Sequence, residues 1–212
     1  RAILHKASIY IFDEPTSNID LKTEERIQKL IDKITKIPVD LKNIELAFNI
    51  QKSIWTSDPD YNGLYDKVVN RADDNCSFLV YLQNNLIGIT GVEIYDEYID
   101  TIWLDWFAIL PNYRRRGYGK KVLLDTIEYC KNLKKYDYFR LDTTYYENRP
   151  ALYLYDDVMD LREDYTVEDT DIIKNNFIIY TYGLNKKAEY WNNKYLGLRE
   201  YYDKCVLNDY SD

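Results

Sequence analysis

The chain has 212 residues, 46% of them apolar and 16% aromatic, with only seven glycines and five prolines; this suffices for one packed domain with an appendage and excludes low-complexity and linker-rich classes. A formal net charge of −8 argues against nucleic acid as a partner and favours cationic ones. One histidine (His5) and three dispersed cysteines (Cys76, Cys130, Cys205) leave no HExxH motif, CxxC pair or disulfide framework, so no metal is expected and a reducing cytoplasm is the simplest home.

The first element is a strand at about 8–13, within "IYIFDEPTSNID" (9–20). Asp20 suits the N-cap of a helix from 21 to about 34, with Ile27, Leu30, Ile31 and Ile34 on one face. With "RAIL" (1–4) before it and "LKTEERIQKLIDKI" (21–34) after it, this stretch resembles the Walker B strand and D-loop of ABC-transporter ATPases. The resemblance would give Asp13 to magnesium and Glu14 to the attacking water. The rest of that machine is missing. Glycines stand only at 63, 88, 91, 117, 119, 183 and 197, so neither a GxxxxGK[ST] phosphate loop nor an LSGGQ-like signature is present. Residues 1–32 therefore read as a remnant of, or junction with, an ABC ATPase gene. An opening on Arg1 rather than Met fits a fragment, and 1–12 lacks the form of a signal peptide.

A short strand is predicted within "KITKIPVD" (33–40) and an amphipathic helix over "LKNIELAFNIQKSIW" (41–55), broken by "DPDYNG" (58–63). A short helix around 63–70 precedes two strands in "CSFLVYLQNNLIGITGVEIYDE" (76–97), joined by a turn at Gln83-Asn84-Asn85. A third strand, "DTIWLDWFAIL" (100–110), ends at Pro111. In "GKKVLLDTIEYCKNLKK" (119–135), apolar residues at 122, 123, 127 and 130 predict a helix with one buried face. There follow a strand at "YFRLDTTYY" (138–146), a short helix at "RPALYLYDDV" (149–158) and a strand at "NFIIYTYGL" (176–184). Helical spacing of Trp191, Tyr195, Leu198, Tyr202 and Cys205 predicts a docked C-terminal helix, seated on its own domain or on a partner such as a second copy of the chain. No run of 18 apolar residues is present to span a membrane.

The chemistry concentrates in "FAILPNYRRRGYGKKVLL" (107–124): a strand, a turn, then Arg114-x-x-Gly117-x-Gly119 opening a helix. Glycines admit close backbone approach, and amides at a helix N-terminus favour an anion such as a pyrophosphate. This segment resembles the Q/R-x-x-G-x-G/A motif of the GNAT family of acetyl-CoA-dependent N-acetyltransferases. "NRPALYLY" (148–155) is similar to the family's N-x-x-A-x-x-x-Y, with Asn148, Ala151 and Tyr155 in register.

The resemblance covers about 33–185 and implies an α/β (α+β mixed) fold: a central, mixed, mostly antiparallel sheet flanked by helices, with a splayed strand pair for the cofactor. Residues 1–32 and 186–212 become a remnant segment and a C-terminal helical extension. The resemblance implies that amides of Arg115, Arg116, Gly117, Tyr118, Gly119 and Lys120, in the loop opened by Arg114, bind the pyrophosphate of coenzyme A. The strand at Phe107–Ile109 would pair with the pantetheine arm, the Phe107 amide would polarise the thioester carbonyl, and Asn148 would hydrogen-bond the pantetheine. Tyr155 would protonate the departing thiolate.

For the base, family members often use a carboxylate on the strand before the loop. Strand alternation would put Asp105 on the same side as Phe107; Glu93 is the alternative. One departure is "VMDL" (158–161), with Asp160 where the family usually has glycine. The acid-rich stretch 156–171 lies where such folds line the acceptor side and would draw a cationic amine: a polyamine, an aminoglycoside or a basic peptide. The expected activity is acetyl transfer from acetyl-CoA to a primary amine of a small molecule or peptide, by direct attack in a ternary complex. The alternative is a non-catalytic acyl-CoA-binding module that regulates an ABC transporter.

Overall fold

A computed structural model describes residues 33–55, 61–96, 98–144, 149–167, 176–191 and 205–207. The Walker-B-like segment 1–32, Asn148 and most of the tail lie outside them. Eight strands form one sheet in the order β1-β2-β3-β4-β5-β7-β6-β8. Four of them run before the glycine-bearing loop: β1 (Ile34–Pro38), β2 (Cys76–Leu82), β3 (Asn85–Glu93) and β4 (Thr101–Ile109). The other four follow it: β5 (Tyr138–Thr144), β6 (Leu161–Val167), β7 (Asn176–Gly183) and β8 (Cys205–Leu207). Every neighbouring pair is antiparallel except β4 and β5.

Helices cover both faces. On one lie α1 (Ile44–Ile54) and α2 (Tyr61–Val69), whose Ile44, Ala47, Ile50 and Leu64 pack on Leu79, Ile89 and Ala108. On the other lie α3 (Tyr118–Leu133) and α4 (Arg149–Val158). Val122, Leu123, Thr126, Ile127 and Cys130 of α3 are buried at the three-to-four spacing of a helix face. Leu123, Ile127 and Cys130 join Phe139, Leu141, Tyr155 and Tyr180 in the largest cluster.

Two elements differ from expectation. No strand was expected in the acid-rich stretch, yet Leu161–Val167 pairs with β7 and β8. Its pattern alternates, with Glu163 and Tyr165 inward and Arg162 outward, but inward Glu163 hides the strand from a hydrophobicity reading. Burial is tolerated because Glu163 accepts bonds from the Tyr165 hydroxyl (2.8 Å) and the Trp191 amide (2.5 Å). At the C-terminus, Trp191 and Cys205 are not helical. Trp191 sits in extended coil with its ring 5.1 Å from that of Trp103, and Cys205 begins β8.

The single parallel pair positions the site. β4 and β5 pair only over Thr101–Trp103 and Tyr138–Arg140, although they continue to Ile109 and Thr144. Buried Arg140 pins the closed end by donating to Thr101 on β4, Thr181 on β7 and the Glu189 carbonyl. Beyond it the strands diverge, leaving an open edge on β4.

Candidate active site

At the open edge the β3–β4 register slips: Ile89 faces Ala108, but Gly91 faces Asp105. The extra residue is a bulge at Trp106, whose φ is +43°. Consequently Asp105 and Trp106 both face α1 and α2, where Asp105 meets Lys67 and the Trp106 ring lies 5.0 Å from that of Trp55. Phe107 faces α4 instead, with its ring 6.3 Å from that of Tyr155. Simple alternation, which would have put Asp105 and Phe107 on one side, is overturned by the bulge. Past it, the Leu110 amide donates to the Ile87 carbonyl of β3 (2.8 Å). Alternation from there turns the Ile109 and Phe107 amides away from β3, toward the opening.

The loop after β4 is shaped by two left-handed residues, Arg115 (φ +59°) and Gly117 (φ +78°). Gly117 is the N-cap of α3, and no described side chain caps that end, so the first-turn amides remain available among the described residues. A Cβ at Gly119 would meet only Leu154 at 3.4 Å and Ile109 at 3.8 Å, ordinary contacts. The space next to Gly119 therefore matters more for an incoming molecule than for the fold. Not every basic side chain faces a ligand. Arg114 Nε donates to the Ile109 carbonyl (2.7 Å), capping the open edge, and Lys120 pairs with Asp157 (2.7 Å).

Tyr155 is buried against Phe107 and Tyr180. Burial, reinforced by the charge of Asp142, raises its hydroxyl pKa, so it keeps its proton through neutral pH. The "VMDL" departure has a structural role: the Asp160 carboxylate accepts the Gly183 amide (2.8 Å) while its own amide bonds the Thr181 carbonyl (3.0 Å). Glycine's conformational freedom is replaced there by a side-chain lock on the turn from α4 into β6.

The two candidate bases share a face and a cation. Lys67 of α2 bonds both Glu93 Oε2 (3.0 Å) and Asp105 Oδ2. The Tyr95 hydroxyl donates to Glu93 Oε1 (2.6 Å). Both Glu93 oxygens are thus engaged, whereas Asp105 Oδ1 carries no hydrogen bond among the described residues. This asymmetry singles out Asp105 of the two. Burial is the main cause raising its carboxyl above the ordinary range; Lys67 opposes the rise and Glu93 adds to it. One ammonium cannot neutralise two enclosed carboxylates, so the Asp105 carboxyl stays raised. Asp142 of β5 has solvent access but is ringed by protein, and that enclosure, with the Glu93 charge, raises it too.

The described acids of the 156–171 stretch are largely committed elsewhere: Arg162 bridges Asp156 and Asp164, and Tyr180 donates to Asp156 (2.7 Å). Among the described residues, the acids beside the opening are Glu93, Asp105 and Asp142. Sequence reading missed Lys67 and Asp142, because only the packing of α2 on β3 and β4 brings Lys67 to its two acids. No described group of three or more His, Cys, Asp or Glu could hold a metal.

A family model described as "Acetyltransferase (GNAT) family" matches residues 41–159, more than half of the chain. Among solved structures, Arabidopsis thaliana NAA60 in complex with a bisubstrate analogue is similar at TM-score 0.57 and 17% identity, over 72% of this chain and 99% of that one. A GNAT family acetyltransferase from Elizabethkingia anophelis with acetyl-CoA bound gives 0.55 and 20%, over 72% and 99%. Spermidine N-acetyltransferase from Vibrio cholerae in complex with CoA and spermine gives 0.53 and 17%, over 69% and 94%. A search of curated proteins finds no match.

Proposed function

Since the chain belongs to the GNAT acetyltransferase family, enzymes that use acetyl-CoA, we propose that it transfers acetyl to a primary amine by direct attack in a ternary complex. One observation carries this reading. At the β4–β5 opening Phe107 of β4 sets its ring 6.3 Å from that of buried Tyr155 on one face of the sheet, and Asp105, two residues before it, holds an oxygen unengaged among the described residues on the other.

The donor set suits acetyl-CoA: uncapped amides from Arg115 to Lys120 for a diphosphate, and an open strand edge for an amide-bearing arm. When bound, the coenzyme supplies an electrophilic thioester carbon and a thiol leaving group. The chain does the rest. Amides of Arg115–Lys120 hold the phosphates, and the Phe107 amide donates to the carbonyl oxygen. An ammonium of pKa about 10.4 must shed a proton before its nitrogen can attack, and Asp105 Oδ1 accepts it, directly or through water. Tyr155 Oη delivers its proton to the sulfur. Asn148, on the family's motif, would steady the pantetheine.

We assign a cationic acceptor. Glu93, Asp105 and Asp142 outnumber Lys67, and the Trp55–Trp106 pair offers aromatic faces to an ammonium. The test is thiol release from acetyl-CoA against spermidine, aminoglycosides and basic peptides. Release with at least one cationic amine, and its loss in Tyr155→Phe, is expected. Tight acetyl-CoA binding with no thiol release from any amine would refute the proposal.

A further inference from the structure

The interaction the sequence did not show is the lysine between the two acids. Lys67 reaches across from α2, its side chain only 14% exposed, and places Nζ on Glu93 and Asp105 together. Those carboxylates are diagonal neighbours on adjacent strands, since Glu93 opposes Trp103 and Asp105 opposes Gly91. Without a cation between them they would repel and turn apart. Burial alone would discourage a charge on Lys67, but the two acids outweigh it and hold the ammonium protonated.

We propose that Lys67 is a positioning residue: its ammonium clamps Glu93 and Asp105 into one unit and presents Asp105 Oδ1 to the acceptor's ammonium. This rests on the reading of Asp105 as the base. Among the described residues, the groups that face Asp105 are Lys67 from α2, Glu93 from β3, Tyr95 just after β3 and Asp142 from β5. Lys67 is the cation among them. It acts through Asp105 and touches neither reacting atom. Removing it takes away the charge and hydrogen bond that favour the ionised Asp105 carboxylate, so Asp105 would hold its proton to higher pH.

The experiment follows kcat/KM against pH for the intact chain, K67R and K67M, with the Asp105 carboxyl titrated by carbon NMR in each. The K67M acid limb and the Asp105 titration should move together to higher pH, by about one unit or more; K67R should keep both near the parent values. A merely structural lysine would instead lower the melting temperature and scale activity down at every pH, with the limb and the titration in place. That result overturns the inference. If the parent chain turns over no amine, the acetylation reading fails, while the carboxyl titration still decides the role of Lys67.

Discussion

In the proposed reaction Asp105 takes a proton from the acceptor on one face of the sheet, and Tyr155 gives one to the sulfur on the other. Tyr155→Phe should lower kcat by about 10²-fold with little change in acetyl-CoA affinity, because ring packing on Phe107 and Tyr180 survives; steady-state thiol release checks this. Asp105 takes a proton only when ionised, and its pKa is raised. The rate should therefore climb as pH rises through the region above the usual carboxylate range. Asp105→Asn should abolish that climb in a pH profile of kcat/KM, and a profile with the same limb would reassign the base. Tyr155 was legible because its motif is local, within eight residues of Asn148. Lys67 was not, because its partners lie 26 and 38 residues away and only packing of α2 on β3 and β4 unites them.

Most elements could be read from periodicity: α4 falls on "RPALYLYDDV" and the hairpin turn on Gln83, whose φ is +56°. The bulge could not. It reverses alternation from Trp106 onward without any glycine or proline to mark it, and so the side occupied by Asp105 was misjudged. β6 escaped because its inward Glu163 is satisfied by Tyr165 and by the Trp191 amide, a segment 28 residues on. The loop makes the sharpest claims at this scale. Gly117→Ala, at φ +78° with open space around it, should cost about 1 kcal/mol of stability from backbone strain alone, measurable by urea unfolding. Gly119→Pro should abolish coenzyme binding by removing an amide and filling the approach; unchanged affinity in calorimetry would refute the loop assignment.

Seen whole, the sheet is a clamp with one fixed end: Arg140 ties β4, β5 and β7 together, and the opening beyond it receives residues from both helical layers. The general architecture was legible because the two motifs flank this opening in chain order. The proposed acceptor side was not, because α1, α2, β3 and β5 come together there through contacts distant in sequence. Acetyl-CoA at about 100 times its Kd should stabilise the fold by about 2.7 kcal/mol, a rise of several degrees in Tm, while magnesium-ATP should leave Tm unchanged for want of a phosphate loop.

The most direct test is a structure of the chain with coenzyme A. The account predicts the diphosphate against the amides of Arg115 to Lys120, the arm along the free edge of β4, and the sulfur beside Phe107 and Tyr155. A coenzyme lodged outside the β4–β5 opening, or a sulfur remote from Tyr155, would contradict it.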